Sequence, residues 1–234
     1  MYLKNIRAVI IDLDGTMVDT LGDFEASLNH TLSDLDLPPV GRAVLERTVG
    51  KGSEHLIRSV LAHQLGLPEV SGLPFARART VDALYVAAWE RYQHHYQSIN
   101  GQFSAVYPGV EEGLLALQSA GLRLACLTNK PLAFAQRLLE VKSLHGYFGW
   151  VFGGDSFERK KPDPMPLLGT CFAMGVEPGQ AVMVGDSLND AHAARAAGCH
   201  VALVPYGYNH GQPISDAPHD LLLQGIDHLL PNLV

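Results

Sequence analysis

The chain has 234 residues, 47% hydrophobic and 18% charged, enough for one large domain or two modest ones with a full core. Its 17 Lys and Arg against 24 Asp and Glu give a formal charge of -7, which argues against nucleic acid or an acidic membrane surface as a general partner. No apolar stretch approaches the ~20 residues of a bilayer span, and the polar opening Met1 to Arg7 is unlike a secretory leader.

Three widely spaced cysteines, Cys126, Cys171 and Cys199, form no CxxC, and the 11 histidines form no HExxH. They read as packing or surface residues of a reduced, cytoplasmic protein.

Ala8-Val9-Ile10-Ile11 is a short unbroken apolar run, the pattern of a strand buried on both faces. It delivers Asp12 and Asp14 to Gly15 and Thr16. Carboxylates at a buried strand end need a cation or hydrogen bonds to offset them, and open α/β sheets bind ligands at that edge. Residues 21–35 carry apolar side chains at helical spacing and stop before Leu37-Pro38-Pro39. From there to about Ser98 strand signals disappear. Helices are predicted over 41–49, 53–64 and 76–97, with Gly50-Lys51-Gly52 as a turn and Pro68, Gly72 and Pro74 as breaks. This predicts an all-helical insertion over 19–100 in a discontinuous core of 1–18 and 101–234.

Pro108-Gly109 opens a helix over 110–120 that Gly121 ends. A strand over 123–127 follows and runs into Thr128-Asn129-Lys130; a helix spans 131–142. The pattern repeats with a strand at 150–152, a helix at 164–174, a strand at 181–184 ending on Gly185-Asp186-Ser187, and a helix at 188–197. Strands at 200–204 and 220–223 close the chain. Alternating buried-type strands and helices predict an α/β fold, a parallel sheet covered on both faces.

The chemically loaded residues all lie just past strand ends, which converge on one crevice in such a sheet. Asp12, Asp14 and Asp186 repel one another unless a hard cation sits among them, and magnesium prefers carboxylates and water. Asp12 can attack phosphorus, and Asp14 can protonate a leaving oxygen and later deprotonate water. Thr128, Asn129 and backbone N–H groups around Gly15 can hold phosphate oxygens; equally, Asn129 can cap the following helix and Thr128 satisfy local backbone. Lys161, within Lys160-Lys161-Pro162-Asp163-Pro164, supplies a compact cation. Asp190, one turn beyond Asp186, can hold Lys161 or a metal-bound water.

The sequence DLDGT, TN after a strand, KPDP and GDSxND, in that order, resemble the haloacid dehalogenase superfamily of phosphohydrolases over 8–208. The resemblance implies a Rossmann-like parallel sheet core with an inserted all-helical cap. It also implies Asp12 as nucleophile, Asp14 as general acid/base, Thr128 as phosphate ligand, Lys161 as stabilising cation, and Mg2+ held by Asp12, the Asp14 backbone and Asp186.

Within the superfamily, Val49-Gly50-Lys51-Gly52, Tyr107-Pro108-Gly109-Val110 and Tyr206-Gly207-Tyr208-Asn209 are similar to members acting on 2-phosphoglycolate. Met17 stands where leucine is commoner, a volume-conserving exchange. Lys51, with Arg47 and Arg58 behind it, is the candidate cation for the substrate carboxylate; the alternative is a solvated turn charge. A sugar-phosphate phosphatase or phosphomutase shares the chemistry, and a phospho-accepting receiver module shares the residue types but not the length or the insertion. The partner is a small phosphorylated metabolite, with no nucleic acid and no membrane, and the chain is a monomer or homodimer.

Overall fold

The computed structural model describes residues 2–67 and 75–233, and of 75–79 the backbone alone. The breaks expected at Pro68, Gly72 and Pro74 lie outside the described residues. The first half runs β1 (Ala8–Ile11), β2 (Val18–Asp19), α1 (Leu21–Ser33), α2 (Arg42–Thr48), α3 (Ser53–Gln64) and α4 (Phe75–Ile99). It continues with β3 (Ala105–Val106), α5 (Val110–Ser119), β4 (Arg123–Leu127), α6 (Leu132–Val141) and β5 (Trp150–Phe152). The chain ends with α7 (Met165–Met174), β6 (Ala181–Gly185), α8 (Leu188–Ala197), β7 (His200–Leu203) and β8 (Leu221–Leu222).

Six strands form one parallel sheet in the order β5-β4-β1-β6-β7-β8. The unbroken run of β1 makes it central, with Ile10 paired to Ala125 on one side and Met183 on the other. Its residues alternate between two separate cores. Val9 and Ile11 pack with Val110, Leu114 and Leu138 beneath α5 and α6, while Ala8 and Ile10 pack with Leu167, Cys171 and Ala194 beneath α7 and α8. Each fully buried aliphatic side chain contributes roughly 1.5–3 kcal/mol. The result is an α/β sandwich of Rossmann type with a helical cap. All three cysteines are free and buried, as their spacing suggested.

Helices α1 to α4 own a third core, in which Phe24, Leu28, Leu45, Ile57 and Tyr96 pack together. The chain enters and leaves this helical layer through a two-stranded antiparallel ribbon absent from the sequence reading, with Val18 paired to Val106 and Asp19 to Ala105. Asp23 in the first turn of α1 fastens the returning segment, its carboxylate accepting from the N–H groups of Gly101 at 2.8 Å and Phe103 at 2.7 Å. No helix among the described residues is long and apolar enough to cross a membrane.

Candidate active site

The carboxyl end of β1 builds the centre of the site. Asp12 still donates its N–H to Val184 at 2.9 Å, so its Cα is fixed by the sheet, and its Oδ1 accepts from the Leu13 N–H at 2.7 Å. Lys161 Nζ lies 3.1 Å from the same oxygen. The lysine is buried, donating also to Asp190 Oδ1 at 2.7 Å and the Leu127 carbonyl at 2.8 Å. Asp190, completely buried, is held in turn by Ser187, whose Oγ donates to Asp190 Oδ2 at 2.7 Å in the capping box of α8. Of its two expected roles, Asp190 thus performs the first and grips Lys161.

Asp186, at the end of β6, accepts from Thr16 Oγ1 at 2.8 Å and from the Tyr208 N–H at 2.6 Å. Asp12, Asp186 and Asp190 each place a carboxylate oxygen within 4.8 Å of the others. Burial, opposed by Lys161 and aided by Asp190, pushes Asp12 up to about 7. Burial and then the charges of Asp190 and Asp12 push Asp186 well above the usual carboxylate range. Lys161 moves the other way from a lone buried amine: burial would lower it, but Asp12 and Asp190 outweigh burial and keep it cationic. An all-oxygen donor set that burial and mutual repulsion make reluctant to ionise fits a hard divalent cation. Asp14 is not in this cluster. Its carboxylate turns to Lys130, with Nζ 2.9 and 3.2 Å from its two oxygens, leaving only the backbone role expected of it at a metal.

The other residues expected at the substrate have the following surroundings. The Gly15 N–H donates to the Val18 carbonyl at 2.9 Å, so this amide closes the turn rather than facing an anion. Glycine is required there for another reason: φ is +82°, and a Cβ would stand 2.3 Å from Asp186 Oδ2. Asn129 is a clasp. Its amide nitrogen donates to Gly50 at 3.0 Å and Lys161 at 2.9 Å, and its Oδ1 accepts the Lys161 N–H at 3.0 Å, while the residue also lines the cavity. Lys51 is exposed and stands outside the cavity wall that its neighbours Gly50 and Gly52 help to form. Thr128, Asn129 and Lys130 all reach the cavity, alongside Asp12 and Asp14.

The cavity lies between the strand ends and the helical layer, which contributes Phe24, Ser53 and Leu56. It encloses about 20 Å³, space for about one water molecule. In this conformation the cavity does not hold a phosphate ester.

Sequence reasoning gave no role to Lys130 or Tyr208. Lys130 stands beside Thr128-Asn129, and that adjacency was the available signal. Tyr208 donates its backbone N–H to Asp186 and accepts the Thr20 N–H on its hydroxyl at 2.9 Å, joining the carboxylate cluster to the entrance of α1.

The carboxylate beside a buried lysine at the edge of a parallel sheet accords with the family comparison, in which a model described as haloacid dehalogenase-like hydrolase matches residues 9–204. The chain belongs to that family. It is a phosphatase, 41% identical over 222 residues to the phosphoglycolate phosphatase of Nitrosospira multiformis, an alignment covering 94% of this chain and 92% of that one. It is 43% identical over 201 residues to the plasmid phosphoglycolate phosphatase of Cupriavidus necator, covering 86% and 81% of the two chains. The crystal structure of a predicted phosphoglycolate phosphatase from Haemophilus somnus 129pt is similar over 97% of both chains, with TM-score 0.86 and 30% identity.

Proposed function

We propose that the chain hydrolyses 2-phosphoglycolate to glycolate and phosphate through an aspartyl phosphate on Asp12. The observation that carries this is the shared cavity of Asp12, Asp14 and Thr128, with Lys161 behind Asp12. The likeness over nearly the whole chain to phosphatases named for this substrate supports the choice of ester.

An oxygen of Asp12 attacks phosphorus in line with the ester oxygen. The P–O(glycolate) bond breaks as Asp14 passes a proton to the leaving alkoxide. Water then attacks the phosphorus of the aspartyl phosphate, Asp14 takes its proton, and the P–O bond to Asp12 breaks to release phosphate. Lys161 stays cationic throughout and offsets charge on the phosphoryl oxygens; Asp190 fixes its position. Thr128 orients a phosphoryl oxygen. Mg2+, held by Asp12, Asp186 and the Asp14 carbonyl, would neutralise phosphate charge when bound. The helical segment 19–100 acts as a cap that admits substrate and then excludes water. Three buried thiols with no disulfide accord with a reducing cytoplasm.

The test is phosphate release with Mg2+ across phosphoglycolate, hexose phosphates, phosphoserine and an aryl phosphate. A preference in kcat/KM for phosphoglycolate is expected. Preference for a hexose phosphate, or its isomerisation without phosphate release, would overturn the substrate assignment. Asp12→Asn should abolish turnover in a folded protein.

A further inference from the structure

Lys130 is as buried as Lys161, yet nothing in the two displacement steps uses it. Its place is fixed from both sides. On the core side its backbone N–H donates to Thr128 Oγ1 at 3.2 Å, its carbonyl accepts the Gly154 N–H at 2.8 Å, and Nζ spans both oxygens of Asp14. On the helical side Nζ lies 4.5 Å from the ring centroid of Phe24 in α1 and 4.8 Å from that of Tyr96 in α4, two rings that stack on each other at 5.6 Å. The ammonium is therefore sandwiched between one carboxylate and two aromatic faces, an arrangement that holds a cation without water. The side chains of Lys130 and Asp14 are 2% and 10% exposed, so solvent screens this pair little.

We propose that Lys130 is the positioning residue for proton transfer in this phosphatase. Its contact with both oxygens fixes Asp14, in its carboxylate form, beside the cavity. When Asp14 carries the proton for the leaving group, one of the two contacts gives way to that proton, and the other sets the direction in which it is presented. This rests on the reading of Asp14 as proton carrier. Lys161 and Lys130 then divide the cationic work: the first serves the phosphoryl group through Asp12, the second serves the leaving group through Asp14.

A readout that a purely structural role would not move is the dependence on leaving group. Glycolate leaves phosphoglycolate as an alkoxide that needs a proton. Acetate leaves acetyl phosphate, a compound of nearly the same size, as a stable carboxylate that does not. The ratio of kcat/KM for the two substrates, measured on one preparation, is independent of the fraction of enzyme that is folded. Lys130→Met should lose about 100-fold on phosphoglycolate, in the range of a general acid's contribution, and only a few-fold on acetyl phosphate. Asp14→Asn should shift the ratio in the same direction, and Lys130→Arg should restore part of it. If Lys130→Met does not fold, Lys130→Gln is measured against the same expectation.

Equal losses on both substrates in the Lys130 variants, with the ratio shifted in Asp14→Asn, would overturn the role of Lys130 and leave that of Asp14 standing. An unshifted ratio in Asp14→Asn would overturn the proton-carrier reading itself, and the role of Lys130 with it.

Discussion

Asp190 and Lys161 form a buried ion pair at 2.7 Å, and neither partner is free to turn away: Ser187 holds the carboxylate and the Leu127 carbonyl holds the ammonium. Removing Asp190 would leave the buried ammonium with Asp12 as the anionic partner it keeps, and would strip the buried Ser187 hydroxyl and N–H of their acceptor. Asp190→Ala should therefore destabilise the fold by about 3 kcal/mol, read as a lower midpoint in urea at pH 7. It should also lower kcat more than it raises KM, because Lys161 keeps its charge but loses its direction.

Gly15→Ala tests the packing behind the carboxylate cluster. Its Cβ would meet Asp186 Oδ2 at 2.3 Å and the Tyr208 ring at 2.9 Å, at a φ that alanine resists. The half-saturating Mg2+ concentration should rise about tenfold or more, as displacing a ligand's support does. Circular dichroism should report an intact fold. An unchanged Mg2+ requirement would remove Asp186 from the proposed metal site.

Lys51→Ala should leave KM for phosphoglycolate within about twofold, since a solvated turn charge carries little interaction energy. The residue is exposed, and the cavity wall passes on either side of it at Gly50 and Gly52. A selective rise in KM for phosphoglycolate, absent for an uncharged phosphate ester, would return Lys51 to the specificity role first expected of it.

Asp220 gives a pH-dependent contribution of known sign. Burial pushes its carboxyl up, but the Arg195 guanidinium at 2.9 Å and the Val201 N–H at 2.8 Å outweigh this and hold it below its usual value. A lowered folded pKa stabilises above the unfolded value, about 3.9, and that stabilisation is lost as pH falls through the folded value. Asp220→Asn should cost about 1–2 kcal/mol at pH 7. The gap between variant and parent in urea unfolding should stay level down to about pH 5 and close below about pH 4.

The central strands were legible because a strand covered on both faces must be an unbroken apolar run, and β1 and β6 are. The ribbon of β2 and β3 was not, because two residues carry no period. The residues converging on the crevice were legible from their position after strands. What Asn129 and Gly15 do was not, since the answer depends on partners such as Gly50, 79 positions away. Lys130 illustrates the same limit: its carboxylate lies 116 positions distant and its aromatic faces sit on two different helices.

The ribbon has a consequence for how such a protein can change. Val18 and Asp19 lead out of the sheet-bearing half directly beside Ala105 and Val106, which lead back in. Neighbouring strands are about 4.8 Å apart, so everything between hangs from a neck one hydrogen-bonded pair wide. A segment attached in this way can be exchanged without breaking a strand of the large sheet, provided the exchange keeps the contacts that reach back to the site, Gly50 with Asn129 and Phe24 and Tyr96 with Lys130. A laboratory graft across the same neck therefore has to carry Gly50, Phe24 and Tyr96 with it.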